Sequence, residues 1–428
     1  MEPITKHNKE TISPGKVKQP GAAKAFKFNP FLAEFQVDPY STYHRLRVED
    51  PIHWSLLGTW VLTRYVDVKV VLRDPRFCSN PIPKQVKERG QYLQQKQKDL
   101  KALAQISSKF LFFLKPPDHT RLRGLLSQAF SPNVVERLRP QIQEIVDKLL
   151  EKVRDRGFMD IVSDIACPLP IIVTARMLGV PDEAYSQLHE WSNHLSLLLD
   201  PLISLEAYEH MNQVAGEFID YFRDLIAERE KRPKEDLISA LITARDRSNK
   251  LSEDELVSIC MVLFVTSEGT TANLIGNGIL ALLRHPDQME KLKREPAIIQ
   301  IAVEELLRYD SPVQQVVRVA AENVEIGGKT IRVGEKILVS LGAANRDPAQ
   351  FLNPDLLDLT RDKNHHLAFG DSIHHCLAAP LARVEGQIAI NTLVQRLPKL
   401  KLSTDTTLKW KKKIATRGLK ALPVTFTL

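Results

Sequence analysis

The sequence predicts a mainly α-helical protein with small, dispersed β-sheets. Amphipathic helical periodicity recurs along most of the 428 residues, whereas patterns typical of strands are few and short. The longest helical pattern runs for roughly 33 residues without proline, which corresponds to about 50 Å at 1.5 Å per residue. A helix of that length crosses a whole domain, so we expect a large helical body with a minor sheet component.

The helices are predicted from apolar residues spaced three and four positions apart. In the segment 134–154, charged residues separate the apolar positions Ile142, Ile145, Val146, Leu149, Leu150 and Val153. Comparable patterns predict helices over about 185–199, 205–231, 235–246, 290–309 and 380–396.

The longest helix is predicted to begin at Ser252, because Ser252 and Glu255 have the spacing of a capping box, and to end before Pro286. Its centre, 260–265 and 272–279, is apolar nearly all round, which indicates burial. The polar segment 266–271 interrupts this apolar stretch. Short strands are predicted at 60–63 and 337–341, and a hairpin at 324–333 that turns at Gly327 and Gly328.

The composition is typical of a globular protein, with 43% hydrophobic and 26% charged residues. No linker or change in composition divides the middle of the chain, so we predict a single domain over 26–428. Residues 1–25 are polar and contain no apolar run, which is typical of a flexible leader and not of a signal peptide or membrane anchor. We therefore expect no membrane span.

The four cysteines are far apart and form no CxxC pair, which argues against zinc, iron–sulfur and disulfide frameworks and favours a reducing cytoplasm. The net charge of +7 is diffuse. Its densest run, 409–413, is interpreted as a solvated loop and not as a nucleic-acid site, because no nucleic-acid-binding motif accompanies it. The absence of a glycine-rich nucleotide loop argues against a built-in flavin or NAD module.

Cys376 is the candidate residue with the largest chemical consequence. It lies where a turn leads into a predicted helix, and a helix start offers backbone N–H groups and a positive dipole end that lower a cysteine pKa. Such a thiolate is a suitable ligand for haem iron, on which it favours O–O cleavage. The alternative is a buried structural cysteine.

Two charged pairs accompany the cysteine. His119 and Arg123 are four residues apart just after a predicted helix start, where they can clamp a carboxylate or form an exposed cap with a surface ion pair. Glu305 and Arg308 are three apart and flanked by leucines. They form either a buried pair that holds a neighbouring loop or an ordinary surface pair.

Three further polar residues stand in apolar surroundings. Arg318 lies in an apolar strand and requires an anionic partner, unless it faces solvent from a sheet edge. His374 is either a donor to an anion or a turn residue. Thr270 either hydrogen-bonds a ligand in a polar groove of the long helix or bonds its own preceding carbonyl.

Together these segments resemble a bacterial, soluble cytochrome P450. The resemblance covers 29–428 and rests on the motifs Phe369-Gly…His374-x-Cys376…Leu-Ala-Arg383-x-Glu385, Glu305-x-x-Arg308, Thr270-Thr271, His119-x-x-x-Arg123 and Asn345-Arg-Asp-Pro348. The cysteine loop and the Glu-x-x-Arg pair, in this order and separation, are the most specific of them. The resemblance implies a cytochrome P450-like fold, a large helical body with small dispersed sheets that enclose haem b, iron protoporphyrin IX.

The resemblance also implies a role for each matched residue. Cys376 would be the iron ligand, and Glu305 and Arg308 would lock the loops on its side of the haem. Thr270, assisted by Thr271 and Glu268, would be the distal alcohol that hydrogen-bonds dioxygen and relays protons. Haem contacts would come from His119, Arg123, Arg318 and His374 at the propionates, and from Phe369, Gly370 and Ala382. Substrate contacts would come from Phe264, Thr266, Val316 and Val317, and from parts of 82–114, 190–204 and 415–422.

The chain departs from the family pattern in the long helix. Gly269 occupies the position directly before the distal threonine where the family usually has an acid. Glu268 is about 100° away around the helix and does not simply replace it. We therefore expect protons to reach the site through Thr270 and water or through a group on the substrate. Thr266 and Ser267 replace the usual Ala-Gly pair, and their hydroxyls can hold water or a polar substrate atom.

Further departures lie on the side of the cysteine. Ser372 and Ala378 stand where the family prefers glycine, which permits a positive φ or a close approach to the porphyrin. Leu356 stands where a basic third partner of the Glu-x-x-Arg pair is usual. The pair then lacks that partner unless Arg361 takes its place.

The implied function is that of a haem-thiolate monooxygenase. It would hydroxylate or epoxidise a mainly apolar small molecule with O2 and with electrons from a separate ferredoxin or flavodoxin and its reductase. Fatty acids, terpenoids and other secondary metabolites stay open as substrates, including molecules bound to a carrier protein. A peroxygenase, or an isomerase or dehydratase, is the alternative for which Gly269 is no handicap. Retention of Cys376 and Thr270 argues against a non-catalytic relative.

Overall fold

A computed structural model describes residues 28–79, 82–96, 98–200, 203–248, 251–397, 399–403 and 407–427. Within these ranges a helical body surrounds one long helix, and three small, separate sheets accompany it. The predicted mainly α fold with dispersed sheets is therefore confirmed. The predicted leader, 1–25, lies outside the described residues, and the single domain over 26–428 stays a prediction.

The α-helices of the described ranges are α1 (Ala33–Val37), α2 (Pro39–Glu49), α3 (Tyr65–Arg73), α4 (Ile82–Gln94), α5 (Lys101–Ser107), α6 (Asp118–Ser127), α7 (Pro132–Glu136), α8 (Arg139–Glu151), α9 (Pro168–Leu178), α10 (Tyr185–Leu195), α11 (Leu205–Lys231), α12 (Leu237–Ser248), α13 (Glu253–Arg284), α14 (Pro286–Arg294), α15 (Ile299–Tyr309), α16 (Leu341–Ala344) and α17 (Ala379–Arg396). Short 3₁₀ turns and a π-helical segment, Ile161–Ala166, connect some of them.

The strands are β1 (Ile52–Trp54), β2 (Trp60–Leu62), β3 (Phe77–Cys78), β4 (Phe158–Asp160), β5 (Gln315–Ala320), β6 (Val324–Ile326), β7 (Lys329–Ile331), β8 (Lys336–Ser340), β9 (Lys401–Leu402) and β10 (Pro423–Thr425). The largest sheet has the order β1-β2-β8-β5-β3, in which only the β2–β8 pair is parallel. Strands β4, β10 and β9 form a second sheet, and β6 and β7 form the predicted hairpin. Gly327 and Gly328 make its turn with φ values of 53° and 77°, which glycine adopts without steric cost.

Helix α13 is the central element of the core. Its capping box is formed as predicted, because the Glu255 N–H donates to Ser252 Oγ at 3.3 Å and the Ser252 N–H donates to a Glu255 carboxylate oxygen at 2.8 Å. The helix packs against α9, α10, α11, α15 and α17, and most of its side chains are buried. It continues without a break through the polar segment 266–271.

Two helices predicted as continuous are divided in the structure. The prediction over 290–309 is wrong, because α14 ends at Arg294 and a 3₁₀ turn at Pro296–Ile298 precedes α15. Proline lacks the N–H for an internal helical hydrogen bond and disfavours the α conformation in the preceding residue, here Glu295 with φ −126° and ψ 70°. The prediction over 134–154 is interrupted in the same way, since Pro140 is tolerated only in the first turn of α8.

Two segments are long and apolar enough to cross a membrane by composition, Ile161–Leu178 and Glu253–Arg284. Both are mainly buried inside the protein, since 61% and 78% of the residues in their most apolar stretches are buried. Their apolar character is therefore accounted for by packing in the core.

Candidate active site

The cysteine loop is fixed by its backbone. A 3₁₀ turn, Ser372–His374, precedes Cys376, and α17 begins three residues after the cysteine. The Cys376 N–H donates to the Phe369 carbonyl at 2.9 Å, which closes the loop. Gly370 and Ser372 both have positive φ, 72° and 64°. Ser372 therefore adopts a left-handed backbone conformation that glycine adopts more readily, which explains the family's preference for glycine at this position.

The electrostatic surroundings of Cys376 differ from the expectation for a simple helix start. Burial raises the pKa of the Cys376 thiol, and the Ala378 N–H and the charges of Arg123 and Arg383 only partly offset this. The predicted lowering by the helix start is thus outweighed by removal of the thiol from water. The same three groups are suited to stabilise a sulfur that carries negative charge after it binds a metal ion.

A cavity of about 240 Å³ separates this loop from α13. Helix α13 lines it with Thr270 and Thr271, and the opposite elements line it with Phe369, Gly370, Cys376, Ala382 and Glu385. A larger cavity of about 600 Å³ adjoins it, and the two share wall residues that include Thr266, Thr270, Val316, Arg318 and His374. The structure therefore brings the cysteine and the predicted distal threonine to one connected space.

A cluster of basic residues lies at the junction of these cavities. The rings of His119 and His374 are 4.6 Å apart, and His374 Nε2 lies 3.0 Å from Ser79 Oγ. His119 Nε2 and His374 Nδ1 are buried and have no hydrogen-bond partner among the described residues. Burial, together with Arg318, His119 and Arg123, lowers the pKa of His374 to about 3.

Two arginines complete the basic cluster. Arg318 is only 8% exposed and donates to the Val317 carbonyl at 2.9 Å, and burial lowers its pKa to about 10. Arg123 donates to the His375 carbonyl at 2.8 Å. Neither arginine forms an ion pair with a carboxylate in the described part of the chain. Arg318 is buried and Arg123 is half-buried, and a cation removed from water requires a counter-charge, so these residues fit an anionic group such as the propionates of haem.

The hydroxyls of the polar segment of α13 bond within the helix. Thr270 Oγ1 donates to the Thr266 carbonyl at 2.9 Å, and Thr266 Oγ1 donates to the Val262 carbonyl at 2.7 Å. This is the back-bonded arrangement that sequence alone left open for Thr270. Thr270 nevertheless lines both cavities, so its oxygen is available as an acceptor at their junction.

Glu268 turns away from the cysteine. Its carboxylate lies 3.0 Å from Nδ1 of His189 on α10, and it lines only the larger cavity. Contact with Glu268 raises the pKa of His189. Gly269 leaves open space, since an added Cβ would meet nothing within 4 Å. Glu268 therefore does not fill the position of the missing acid beside Thr270.

Glu385 is a functional candidate for which the sequence suggested no role beyond its place in the motif. It is 2% exposed, lines the cavity that contains Cys376, and lies beside Thr271, whose hydroxyl only partly opposes the rise in its pKa. Its Oε1 has no hydrogen-bond partner among the described residues, and burial raises its pKa to about 8. The sequence feature that could have indicated this role is an acidic residue between the apolar residues Val384 and Ile388 of α17.

Three of the four single residues predicted as substrate contacts line the larger cavity, so their role stays a prediction that their position allows. Thr266, Val316 and Val317 line the larger cavity. Phe264 does not line either cavity, because its side chain packs against Phe218 and Phe222 of α11, with ring centroids 6.2 and 6.0 Å away. The position of Phe264 therefore gives no support to the predicted substrate contact, because it lies on the face of α13 that α11 covers.

Glu305 and Arg308 form a buried pair and not a surface pair. Both side chains are 0% exposed, and their bidentate contact measures 2.8 and 2.9 Å. Arg361 takes the place of the missing basic partner, with Nε 3.0 Å from both carboxylate oxygens of Glu305. Leu356 contributes only its carbonyl, which accepts from Arg308 at 3.2 Å.

A lone cysteine faces a hydroxyl-lined helix across a cavity that basic residues without carboxylate partners border, and this arrangement is typical of a haem protein. Residues 78–415 match the family model described as Cytochrome P450. The chain belongs to the cytochrome P450 family, so its cofactor is haem and its reaction class is monooxygenation.

The similarity to known proteins extends over nearly the whole chain. The chain is 42% identical over 398 residues to the biotin biosynthesis cytochrome P450 of Bacillus subtilis, which covers 92% of this chain and 98% of the relative. It is 40% identical over 409 residues to the polyketide biosynthesis cytochrome P450 PksS of the same organism, with 94% and 98% covered. The crystal structure of P450BioI with an acyl carrier protein ligated to hexadec-9Z-enoic acid superposes with a TM-score of 0.85 at 41% identity, covering 92% and 99%.

Proposed function

We propose that this protein hydroxylates or epoxidises a mainly apolar small molecule in the cytoplasm, with electrons from a separate ferredoxin or flavodoxin and its reductase. The observation that carries the proposal is the shared space between Cys376 and Thr270, flanked by the basic cluster. When bound, haem iron with a thiolate ligand supplies the activation of O2 by two electrons and two protons, with one oxygen atom leaving as water.

We assign the haem contacts to residues on three elements. The Cys376 sulfur would bind the metal, with the Ala378 N–H and Arg123 stabilising its negative charge. The guanidinium of Arg318 and the free ring nitrogens of His119 and His374 would bind the propionates. This assignment satisfies groups that are otherwise buried without a counter-charge or a hydrogen-bond partner.

Two acids would supply protons, one from each of the two cavities. Glu385, with its pKa raised to about 8, holds a proton at neutral pH in the cavity of Cys376. Thr271, which lines the same cavity, would orient this carboxyl through its hydroxyl. Glu268 and the partly exposed His189 connect the larger cavity with solvent. Thr270 would orient water between these groups.

The larger cavity would hold the substrate. Its volume of about 600 Å³ and apolar residues such as Val316, Val317 and Leu338 fit a mainly apolar molecule. The carrier-protein complex of P450BioI supports including carrier-bound acyl groups among the substrates. The free state of all four cysteines supports a reducing cytoplasm.

The carbon-monoxide complex of the reduced protein tests the assignment of Cys376. The wild-type protein should show the red-shifted Soret band of a thiolate ligand, and Cys376→His should abolish it. Cys167→Ser is the matched control and should retain the band. A Cys376→His protein that retains it would show that another residue binds the iron.

A second candidate is a peroxygenase, or an isomerase or dehydratase acting on an oxygenated substrate. It is favoured because no acid stands directly beside Thr270 on α13. The residue there is Gly269, and the carboxylate of Glu268 contacts His189 instead. Turnover with hydrogen peroxide alone, compared with turnover by O2, ferredoxin and reductase, separates the two. Faster turnover without the reductase would replace our proposal by the second candidate.

A further inference from the structure

The larger cavity has a charged wall that the proposed oxygen chemistry does not use. Lys411 and Lys413 line it from the C-terminal loop, and Ser192, Ser196 and Asp200 line it from α10 and the following turn. Both lysines are half-buried. The interpretation of 409–413 as a solvated loop is therefore wrong for these two lysines, because the Lys411 N–H donates to the Gly418 carbonyl at 2.8 Å and holds the loop against the body.

The ammonium groups of the two lysines are not neutralised internally. Lys413 Nζ donates to Ser196 Oγ at 3.0 Å, and burial lowers its pKa. The described part of the chain places no carboxylate in ion-pair contact with either lysine. Asp200 is the nearby acid, but its Oδ1 accepts the Ala415 N–H at 3.4 Å, and burial raises its pKa, which disfavours its ionised form.

The remaining groups on this wall favour one bound anion. Glu268 lies 3.0 Å from His189 Nδ1, and a protonated His189 offsets its charge. The two lysines then face one unpaired acid, Asp200, which leaves the wall with net positive charge. Ser192 lines the same cavity, is 2% exposed, and its Oγ has no hydrogen-bond partner among the described residues. A buried hydroxyl without a partner, in the same cavity as two cations, is a suitable donor for an anionic oxygen.

We propose that Lys411, Lys413 and Ser192 bind the carboxylate of an otherwise apolar carboxylic acid, such as a long-chain fatty acid. The hydrocarbon part would extend to Thr270 and Val316, which line the same cavity. This inference rests on the proposed function, since it names the substrate class of the same site. A carboxylate supplies the negative charge that the wall lacks, whereas a neutral ester leaves one of the two lysines without a counter-charge.

Spectral titration of the holoenzyme with hexadecanoic acid and with its methyl ester tests the proposal. The shift of ferric iron from low to high spin reports binding of each compound. We expect the acid to bind the wild-type protein about tenfold more tightly than the ester, as for a hydrogen bond to a charged group. Lys411→Gln and Lys413→Gln should each weaken binding of the acid about tenfold and leave the ester unchanged, and Lys413→Arg should retain the preference.

Lys412→Gln is the matched control, because it removes the same charge from an exposed neighbour in the same loop. The proposal is overturned if the acid and the ester bind wild-type protein equally, if neither binds, or if Lys412→Gln has the effect of the other two variants. A protein that retains the red-shifted carbon-monoxide band but ignores the carboxylate contradicts this inference alone. Loss of that band in the wild-type protein contradicts the proposed function.

Discussion

Arg361 lies with Nε 3.0 Å from both carboxylate oxygens of Glu305. Because Arg308 binds the same carboxylate, one fully buried acid holds two guanidinium groups. Arg308 also donates to the carbonyls of Asn345 and Pro354, at 2.9 and 2.7 Å. The network therefore ties α15 to the segment that leads into the cysteine loop.

Replacing Glu305 should destabilise this segment strongly. Glu305→Gln leaves two guanidinium groups without a full negative charge, and breaking a buried ion pair costs about 3–5 kcal/mol. Urea unfolding of the holoenzyme measures the loss. Glu49→Gln, which breaks the exposed Arg45 pair on α2, is the control and should cost at most about 1 kcal/mol. Equal losses in the two variants would contradict the structural role of Glu305.

Restoring an acid beside Thr270 should improve the use of electrons. In Gly269→Glu the new side chain has open space, and it places a proton donor at the position that Glu268 does not reach. We expect product formed per electron consumed to rise severalfold, as measured by product and cofactor oxidation together. Gly269→Ala is the control for the change in helix propensity, which is about 1 kcal/mol. It should leave the amount of product formed per electron unchanged. An unchanged ratio in Gly269→Glu would show that protons arrive by another route.

Glu385 should titrate near pH 8. Difference infrared spectroscopy should show a protonated carboxyl band at pH 7 that disappears around pH 8 and is absent in Glu385→Gln. Because the folded pKa lies above the ordinary value of 4.5, the stability associated with this proton is fully present below that value. It is lost as pH rises through about 8. A band that persists in Glu385→Gln belongs to another acid.

Local sequence patterns were sufficient for the elements that depend on near neighbours. The capping box at Ser252 and the glycine turn of the hairpin are such cases, since their hydrogen bonds and φ values depend on residues within a few positions. The sequence suggested Arg361 as a partner of Glu305 only because Leu356 occupies the position where a basic residue is usual. The split at Pro296 shows that a periodic apolar pattern can conceal a break when the proline lies on the polar side.

The positions that the sequence could not settle depend on contacts between distant segments. Phe264 and Thr266 are two positions apart on α13, yet α11 covers one and the cavity borders the other. Lys411 and Lys413 are indistinguishable in sequence from the exposed Lys412. The element that packs against a loop or helix decides which of its sides faces the cavity. For the C-terminal loop this element is α10 with the turn that follows it, which lies more than a hundred residues earlier in the chain.

The ion pair between His189 and Glu268 leads to a prediction about pH. Contact with the buried Glu268 raises the pKa of His189 above its ordinary value of 6.5, and burial only partly opposes this. The stabilisation from the pair is therefore fully present below pH 6.5 and is lost as pH rises through the raised pKa. Histidine hydrogen–deuterium exchange, followed by mass spectrometry, measures the pKa of His189 directly in the holoenzyme.

Glu268→Gln should lower the pKa of His189, because it removes the negative charge and leaves burial and the repulsion of Lys411. Glu190→Gln is the matched control, since the exposed Glu190 is the weakest of the groups that act on His189, and it should cause a smaller decrease. If His189 titrated at its ordinary value in the wild-type protein, the pair would not persist in solution. Glu268 would then lack this partner, which would contradict the proposed route of protons from solvent through His189 and Glu268.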